Sequence, residues 1–96
     1  MATFSPKGRG HACLAAAELE PVSFADMCQA QGVMGQGKQR RKLFLALLSL
    51  RSAGFVRRVA PETYVITPEG SDALACLRAG HEVTAEIARH SVRVFA

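Results

Sequence analysis

The residues with the clearest chemical potential are bases in the middle of the chain. Between Gln36 and Arg58 there are seven lysines and arginines and no acid, so this window carries a charge of +7. These seven bases are Lys38, Arg40, Arg41, Lys42, Arg51, Arg57 and Arg58. The rest of the chain has five bases and eight acids, and the whole chain of 96 residues has a net charge of +4. A basic stretch on an acidic remainder favours a polyanionic partner; the alternative is a solvated face that binds nothing.

Several of these bases lie on one face of a predicted helix. From about Lys38 to Ala53 there is no glycine or proline, and Gly54 stands where a helix typically ends. The helical period places on the core face Leu43, Phe44, Leu47, Leu50 and the stem of Arg51. It places on the outer face Lys38, Arg41, Lys42, Leu45 and Ser49. Bases at the positive end of the helix dipole are unfavourable unless an anion binds there.

A second pattern in the same region resembles a phosphate-binding loop. The segment from Gly32 to Lys38 has the form G-x-x-x-x-G-K, whose backbone amides cradle phosphates. Gln39 stands where the loop needs serine or threonine for magnesium, and a predicted helix precedes the segment where a strand is required. We therefore interpret it as a turn between helices.

The spacing of the histidines, acids and cysteines gives little support for a metal site or a reactive thiol. Glu86 and His90 form one helical pair near His81 and Glu82, which is sparser than zinc sites require. The three cysteines, Cys13, Cys28 and Cys76, lie on apolar helix faces, which predicts buried thiols. No spacing supports a nucleophile with its base or a carboxylate pair. We expect no enzymatic activity, no cofactor and no metal.

The elements around the basic helix are short. Residues 1–10 resemble a flexible tail, and residues 11–20 predict a first helix that stops before Pro21. Ser23 predicts the N-cap of a second helix, with Asp26 at its third position and an end near Gly32.

After the basic helix, two runs rich in β-formers surround a turn. Residues 55–60 and 63–66 predict a hairpin, in which at least one of Arg57 and Arg58 faces solvent. Thr67 then predicts an N-cap, with Pro68 at the first helical position and an end near Gly80. The remaining segment, residues 81–96, predicts a helix to about His90, and residues 91–95 could equally form a strand or a frayed end.

Two stretches carry a resemblance to a known family. The first is Leu47-x-x-Leu50-x-x-x-Gly54-Phe55-Val56-Arg57-Arg58, and the second is Tyr64-Val65-Ile66-Thr67-Pro68-Glu69-Gly70. Together they resemble the winged helix-turn-helix domains of MarR-type and PadR-type bacterial, archaeal or phage regulators. The resemblance implies an α+β, mostly α fold, with three helices, a β-hairpin wing and one or two C-terminal helices. It assigns residues 11–80 to that domain.

The resemblance also implies a function. A recognition helix over residues 38–53 would enter the major groove of double-stranded DNA, and a wing over residues 55–67 would lie on the neighbouring backbone. The residues expected to contact DNA are Gln36, Lys38, Gln39, Arg41, Lys42, Ser49, Arg57 and Arg58. Lysine and arginine bind phosphates or guanine, and glutamine reads adenine. We expect a small transcriptional regulator.

A protein-binding function is the alternative. Leu45 and Leu48 are apolar for a groove-facing surface and could pack on another protein, as in a subunit or small inhibitor of a larger complex. Regulators of this type usually act as symmetric dimers, and two unassigned apolar faces favour a homodimer; the alternative is that these segments fold back on their own core. They contain Leu14, Leu19, Val83, Ile87, Val92, Val94 and Phe95.

The apolar runs and the number of cysteines predict the cellular compartment of the protein. The longest uninterrupted apolar run has six residues, Leu43 to Leu48, too few for a membrane-spanning helix. No secretory signal is visible, and an odd number of cysteines does not form a disulfide framework. These features predict a cytoplasmic protein with no membrane partner.

Overall fold

The structure is a computed structural model, and it describes residues 2–33 and 37–85. Four helices and five short strands make an α+β fold within this part of the chain. In chain order they are β1 (Ala2–Phe4), α1 (Arg9–Ala17), β2 (Val22–Ser23), α2 (Phe24–Ala30), α3 (Lys38–Ser52), β3 (Val56–Ala60), β4 (Thr63–Ile66), α4 (Pro68–Arg78) and β5 (Val83–Ala85). No helix among the described residues is long and apolar enough to cross a bilayer.

One core joins the four helices to the hairpin. Each helix contributes a buried stripe, and the side chains with the least exposure are Cys13, Leu14, Met27, Leu43, Leu47, Leu50, Leu74 and Leu77. The predicted inner face of the basic helix is therefore confirmed at its three leucines. Phe44 was expected on that face as well, but its side chain is 39% exposed at the edge of the core.

Helix boundaries follow local capping signals. The Ser23 hydroxyl accepts a hydrogen bond from the backbone N–H of Asp26 at 3.0 Å, so the predicted cap of α2 is confirmed. Likewise, the Thr67 hydroxyl accepts from the N–H of Gly70 at 3.0 Å and begins α4. At the end of α3, Gly54 has φ +83°, the left-handed conformation that favours glycine after a helix.

We expect Gly54→Val to lower the free energy of unfolding by more than ~1 kcal/mol. A side chain at Gly54 would contact none of the described residues within 4 Å, so the cost comes from the backbone conformation. In a domain of this size the melting temperature should fall by about 4–8 °C for each kcal/mol. Gly54→Asn is the control, because asparagine tolerates this conformation better and should cost less. Equal melting temperatures for Gly54→Val and the unaltered protein would contradict the assignment.

Two small antiparallel sheets complete the fold. The three-stranded sheet has the order β2-β4-β3, and the second sheet pairs β1 with β5. The predicted hairpin is confirmed, with Arg57 opposite Val65 and Arg58 opposite Tyr64. β2 has only two residues and was not predicted, because nothing in its local sequence indicates the β4 edge that it pairs with.

The prediction of a flexible tail over residues 1–10 is wrong where the structure describes it. β1 pairs with β5, whose residues are about eighty positions later, with Thr3 opposite Thr84. Phe4 is buried, and its ring lies 5.7 Å from that of Phe55. α1 begins at Arg9 and ends at Ala17, earlier than the predicted range of 11–20. A phenylalanine anchored in the core thus orders the start of the chain.

The first part of the segment 81–96 folds back on the core, which was the alternative to a dimer surface. Residues 83–85 form a strand, where a helix was predicted, and this strand packs on the same core through Val83 and Ala85. Residues 86–96 lie outside the described part of the chain, so the remainder of the predicted C-terminal element stays a prediction.

An ion pair connects the end of α1 to α4. The two terminal guanidinium nitrogens of Arg78 donate to the carboxylate of Glu18, at 2.6 and 2.7 Å. The hydrogen bond lowers the pKa of Glu18 and raises the pKa of Arg78. Because both side chains are partly exposed to water, the pair contributes little to stability.

Candidate nucleic-acid interface

The outer face of α3 presents cations to solvent. Lys38, Arg41 and Lys42 are all exposed, together with Gln39. They are held outward because the opposite side of the same helix is fixed in the core by its buried leucines. Farther along this face, Leu45 is 52% exposed and Ser49 is half-buried. The structure therefore brings together, on or beside this surface, five of the eight residues expected to contact DNA: Lys38, Gln39, Arg41, Lys42 and Ser49.

The charge of this face is uncompensated. Within residues 2–33 and 37–85, none of the seven bases of the central window forms a salt bridge. The first turn of α3 has no acid, and its N-cap, Gly37, has no side chain to satisfy the free amides. Cations there oppose the helix dipole at a cost of about 0.3–1 kcal/mol each. An anion bound at this surface would remove that cost. If the anion is a nucleic acid, its binding also releases the counterions condensed on its phosphates.

Arg40 differs from its neighbours because it turns toward the protein. Its guanidinium lies 5.0 Å from the centre of the Phe24 ring, and Nη1 donates to the sulfur of Cys28 at 3.6 Å. Phe24 also packs edge-to-face against Phe44, with ring centres 5.2 Å apart. This cluster joins α2 to α3, and it accounts for Arg40 without a ligand.

The hairpin adds two more cations beside α3. Arg57 and Arg58 occupy successive positions of β3, and both are exposed, where at least one was predicted to be. The turn of the hairpin is held close to the body, because the N–H of Phe24 donates to the carbonyl of Glu62 at 3.3 Å. A tethered turn that carries an acid is unsuited to deep contact with a DNA backbone. Arg57 and Arg58 lie on opposite faces of β3, so the hairpin would act through one of them.

A network around Thr67 sets the angle between α3 and the hairpin. The hydroxyl of Thr67 donates to the carbonyl of Gly54 at 2.6 Å, and its N–H donates to the carbonyl of Phe55 at 3.1 Å. Gly70 packs against that same carbonyl with no room for a side chain. One residue thus connects the end of α3, the start of the hairpin and the start of α4. The relative placement of the two basic surfaces depends on this junction.

A cleft of about 460 Å³ runs beside the outer face of α3. Lys42, Leu45 and Ser49 line one wall, and the strand–turn segment before α1 forms the other, with Arg9 among its lining residues. Arg9 was not among the predicted contacts because the sequence places it in a tail. No local signal could have found it, since its position depends on the pairing of β1 with β5.

Other predicted features lie elsewhere or are not described. Gln36, Glu86 and His90 lie outside the described residues, and no group of three metal-ligating side chains occurs within them. The segment that resembles a phosphate-binding loop follows α2, not a strand.

The cysteines are divided between core and surface. Cys13 and Cys28 are buried as predicted, and burial, followed by the charge of Cys28, raises the pKa of Cys13 to about 12. A thiol with such a pKa is a poor nucleophile. Cys76 was predicted to be buried but is exposed, because α4 buries the stripe through Ala73, Leu74 and Leu77 instead.

Two apolar residues also differ from their expected surroundings. Leu48, expected on the outer face, is half-buried, which leaves Leu45 as the more exposed of that pair. Leu14, expected in a dimer surface, is fully buried between the helices, whereas Leu19 is 92% exposed. Val83 is half-buried in β5, and the other residues expected in the dimer surface lie outside the described part, so the homodimer stays a prediction.

Comparison with protein families, with curated proteins and with solved structures gives no match to this chain.

Proposed function

We propose that this chain is a small DNA-binding regulator that places α3 in the major groove of duplex DNA. The observation that carries the proposal is the outer face of α3, where Lys38, Arg41 and Lys42 are exposed and have no acidic partner among the described residues. Phosphates of the DNA backbone are the polyanion that such a face suits best, because they neutralise several cations at once. Arg57 and Arg58 lie on opposite faces of β3, so one of them would contact the neighbouring DNA backbone.

The order of the elements supports this proposal. A helix, a short strand, two helices and a hairpin follow one another, and the short strand pairs beside the hairpin in the order β2-β4-β3. Three helices followed by a hairpin wing is the arrangement that the resemblance to winged helix-turn-helix domains implies, with the third helix in the groove. In this chain, the third helix is also the one that carries the basic face.

The direct test is the salt dependence of binding to a fluorescent duplex, measured by anisotropy. If four to six phosphates are neutralised, log affinity should fall with log salt with a slope of about −4 to −5. Because this contribution does not depend on base sequence, any duplex of about two helical turns is suitable. A flat salt dependence, or no binding at low salt, would contradict the proposal.

Exposed apolar residues favour a second candidate function, the binding of an acidic protein surface. Leu19 is 92% exposed and Val59 on the hairpin is 47% exposed, so apolar contacts are available outside α3. Nucleic acid that co-purifies with the protein and leaves at high salt would favour DNA. A preparation free of nucleic acid that also fails to bind the duplex would favour the protein partner.

A further inference from the structure

Leu45 is an apolar side chain at the centre of a cationic surface. Arg41 and Lys42 precede it by one helical turn and Ser49 follows it by one turn, so all four share the outer face of α3. Its side chain is 52% exposed, whereas the leucines of the inner face are buried. The core therefore does not need a leucine at this position.

We propose that Leu45 contacts the C5 methyl group of thymine and gives the protein a preference for thymine at that base step. The inference rests on the proposed function, because it requires α3 to lie in the major groove. The thymine methyl is the apolar group that base pairs display in that groove, and apolar side chains recognise it by direct contact. Contact with the methyl would remove from water the apolar surface that Leu45 exposes in the free protein.

Neighbouring residues position Leu45 for this contact. Lys42 and Ser49 line the same cleft wall as Leu45, and Arg9 lies among the residues of the facing wall. Cations on both sides would hold phosphates, which fix the register of the helix but carry no sequence information. The side chain between them would then meet a base edge, where sequence is read.

Other partly exposed apolar residues are less suited to this role. Phe44 is engaged edge-to-face with Phe24, and Leu48 is half-buried. Val59 is exposed but belongs to the hairpin, beside the register shift between Arg58 and Ala60. Among the described residues, Leu45 is thus the apolar side chain at the middle of the basic face.

The test compares two duplexes of about 25 bp that contain A·T pairs only, one of them with every thymine replaced by uracil. Uracil lacks the methyl group and keeps the same hydrogen-bonding groups. We expect the unaltered protein to bind the thymine duplex about threefold to tenfold more tightly, since each methyl buried changes affinity by about fourfold. Leu45→Ala should bind both duplexes equally and keep the same salt slope, because no charge is removed. Leu45→Met should retain the preference.

The possible outcomes separate this inference from the proposed function. If the unaltered protein binds neither duplex at low salt, the proposed function is wrong and the inference is wrong with it. If it binds both duplexes equally with a steep salt slope, DNA binding stands and the methyl contact is wrong. If Leu45→Ala keeps the full preference for thymine, the discrimination comes from duplex shape or from another residue, and the inference is overturned. Because Leu45 is exposed, its variants should melt within a few degrees of the unaltered protein, and circular dichroism checks this.

Discussion

Gly70→Ala should destabilise this protein by about 3 kcal/mol or more, which is a large part of the stability of a small domain. An added Cβ would lie far inside van der Waals contact with the carbonyl oxygen of Phe55, 2.8 Å from its carbonyl carbon and 2.9 Å from Cγ1 of Ile66. The carbonyl cannot move away freely, because it accepts the hydrogen bond from Thr67. Chemical unfolding followed by circular dichroism measures the loss.

Gly10→Ala is the matched control for this prediction. Gly10 is also buried in a helix, and its added Cβ would lie 2.6 Å from Cδ1 of Phe4. That atom belongs to a side chain and not to the backbone, so the Phe4 ring can shift at some cost to its packing, and the loss should be smaller than at Gly70. If the two variants are destabilised equally, rigid backbone contact at Gly70 is not the cause.

The second large effect concerns DNA affinity. Replacing Lys38, Arg41 and Lys42 with alanine should lower affinity for duplex DNA by about two to three orders of magnitude at about 0.1 M salt. Each phosphate contact that is lost reduces the magnitude of the salt slope by about 0.9, so the slope should weaken to about −2. Anisotropy titrations at several salt concentrations give both quantities. The melting temperature should change little, because all three side chains are exposed.

A variant with Arg51 and Arg78 replaced by alanine controls for general loss of charge. Arg51 is exposed near the end of α3, away from the outer face, and Arg78 is paired with Glu18 on α4. This variant should bind with less than about a threefold loss, because neither base lies where phosphates are expected. If both variants lose affinity in proportion to the charge removed, binding depends on net charge, and the outer face of α3 is not the interface.

Much of the candidate site could be predicted because its signals are local. The bounds of α3, the caps at Ser23 and Thr67 and the hairpin all follow from residues within a few positions of each element. Helical periodicity also determined which leucines of α3 are buried and which bases face outward. A rigid helix with one apolar stripe has one way to pack, so the direction of the basic face followed from the stripe.

Only the tertiary structure decided the features that depend on distant segments. The pairing of β1 with β5 orders the start of the chain and brings Arg9 to the cleft beside Lys42, although about eighty residues separate the strands. Packing of α2 against α3 turns Arg40 onto Phe24, and the choice of buried stripe on α4 leaves Cys76 exposed. These outcomes depend on which surfaces meet when the helices pack. A local pattern of residues specifies an element and its apolar face, but the neighbour that covers that face is selected by the packing of the whole chain.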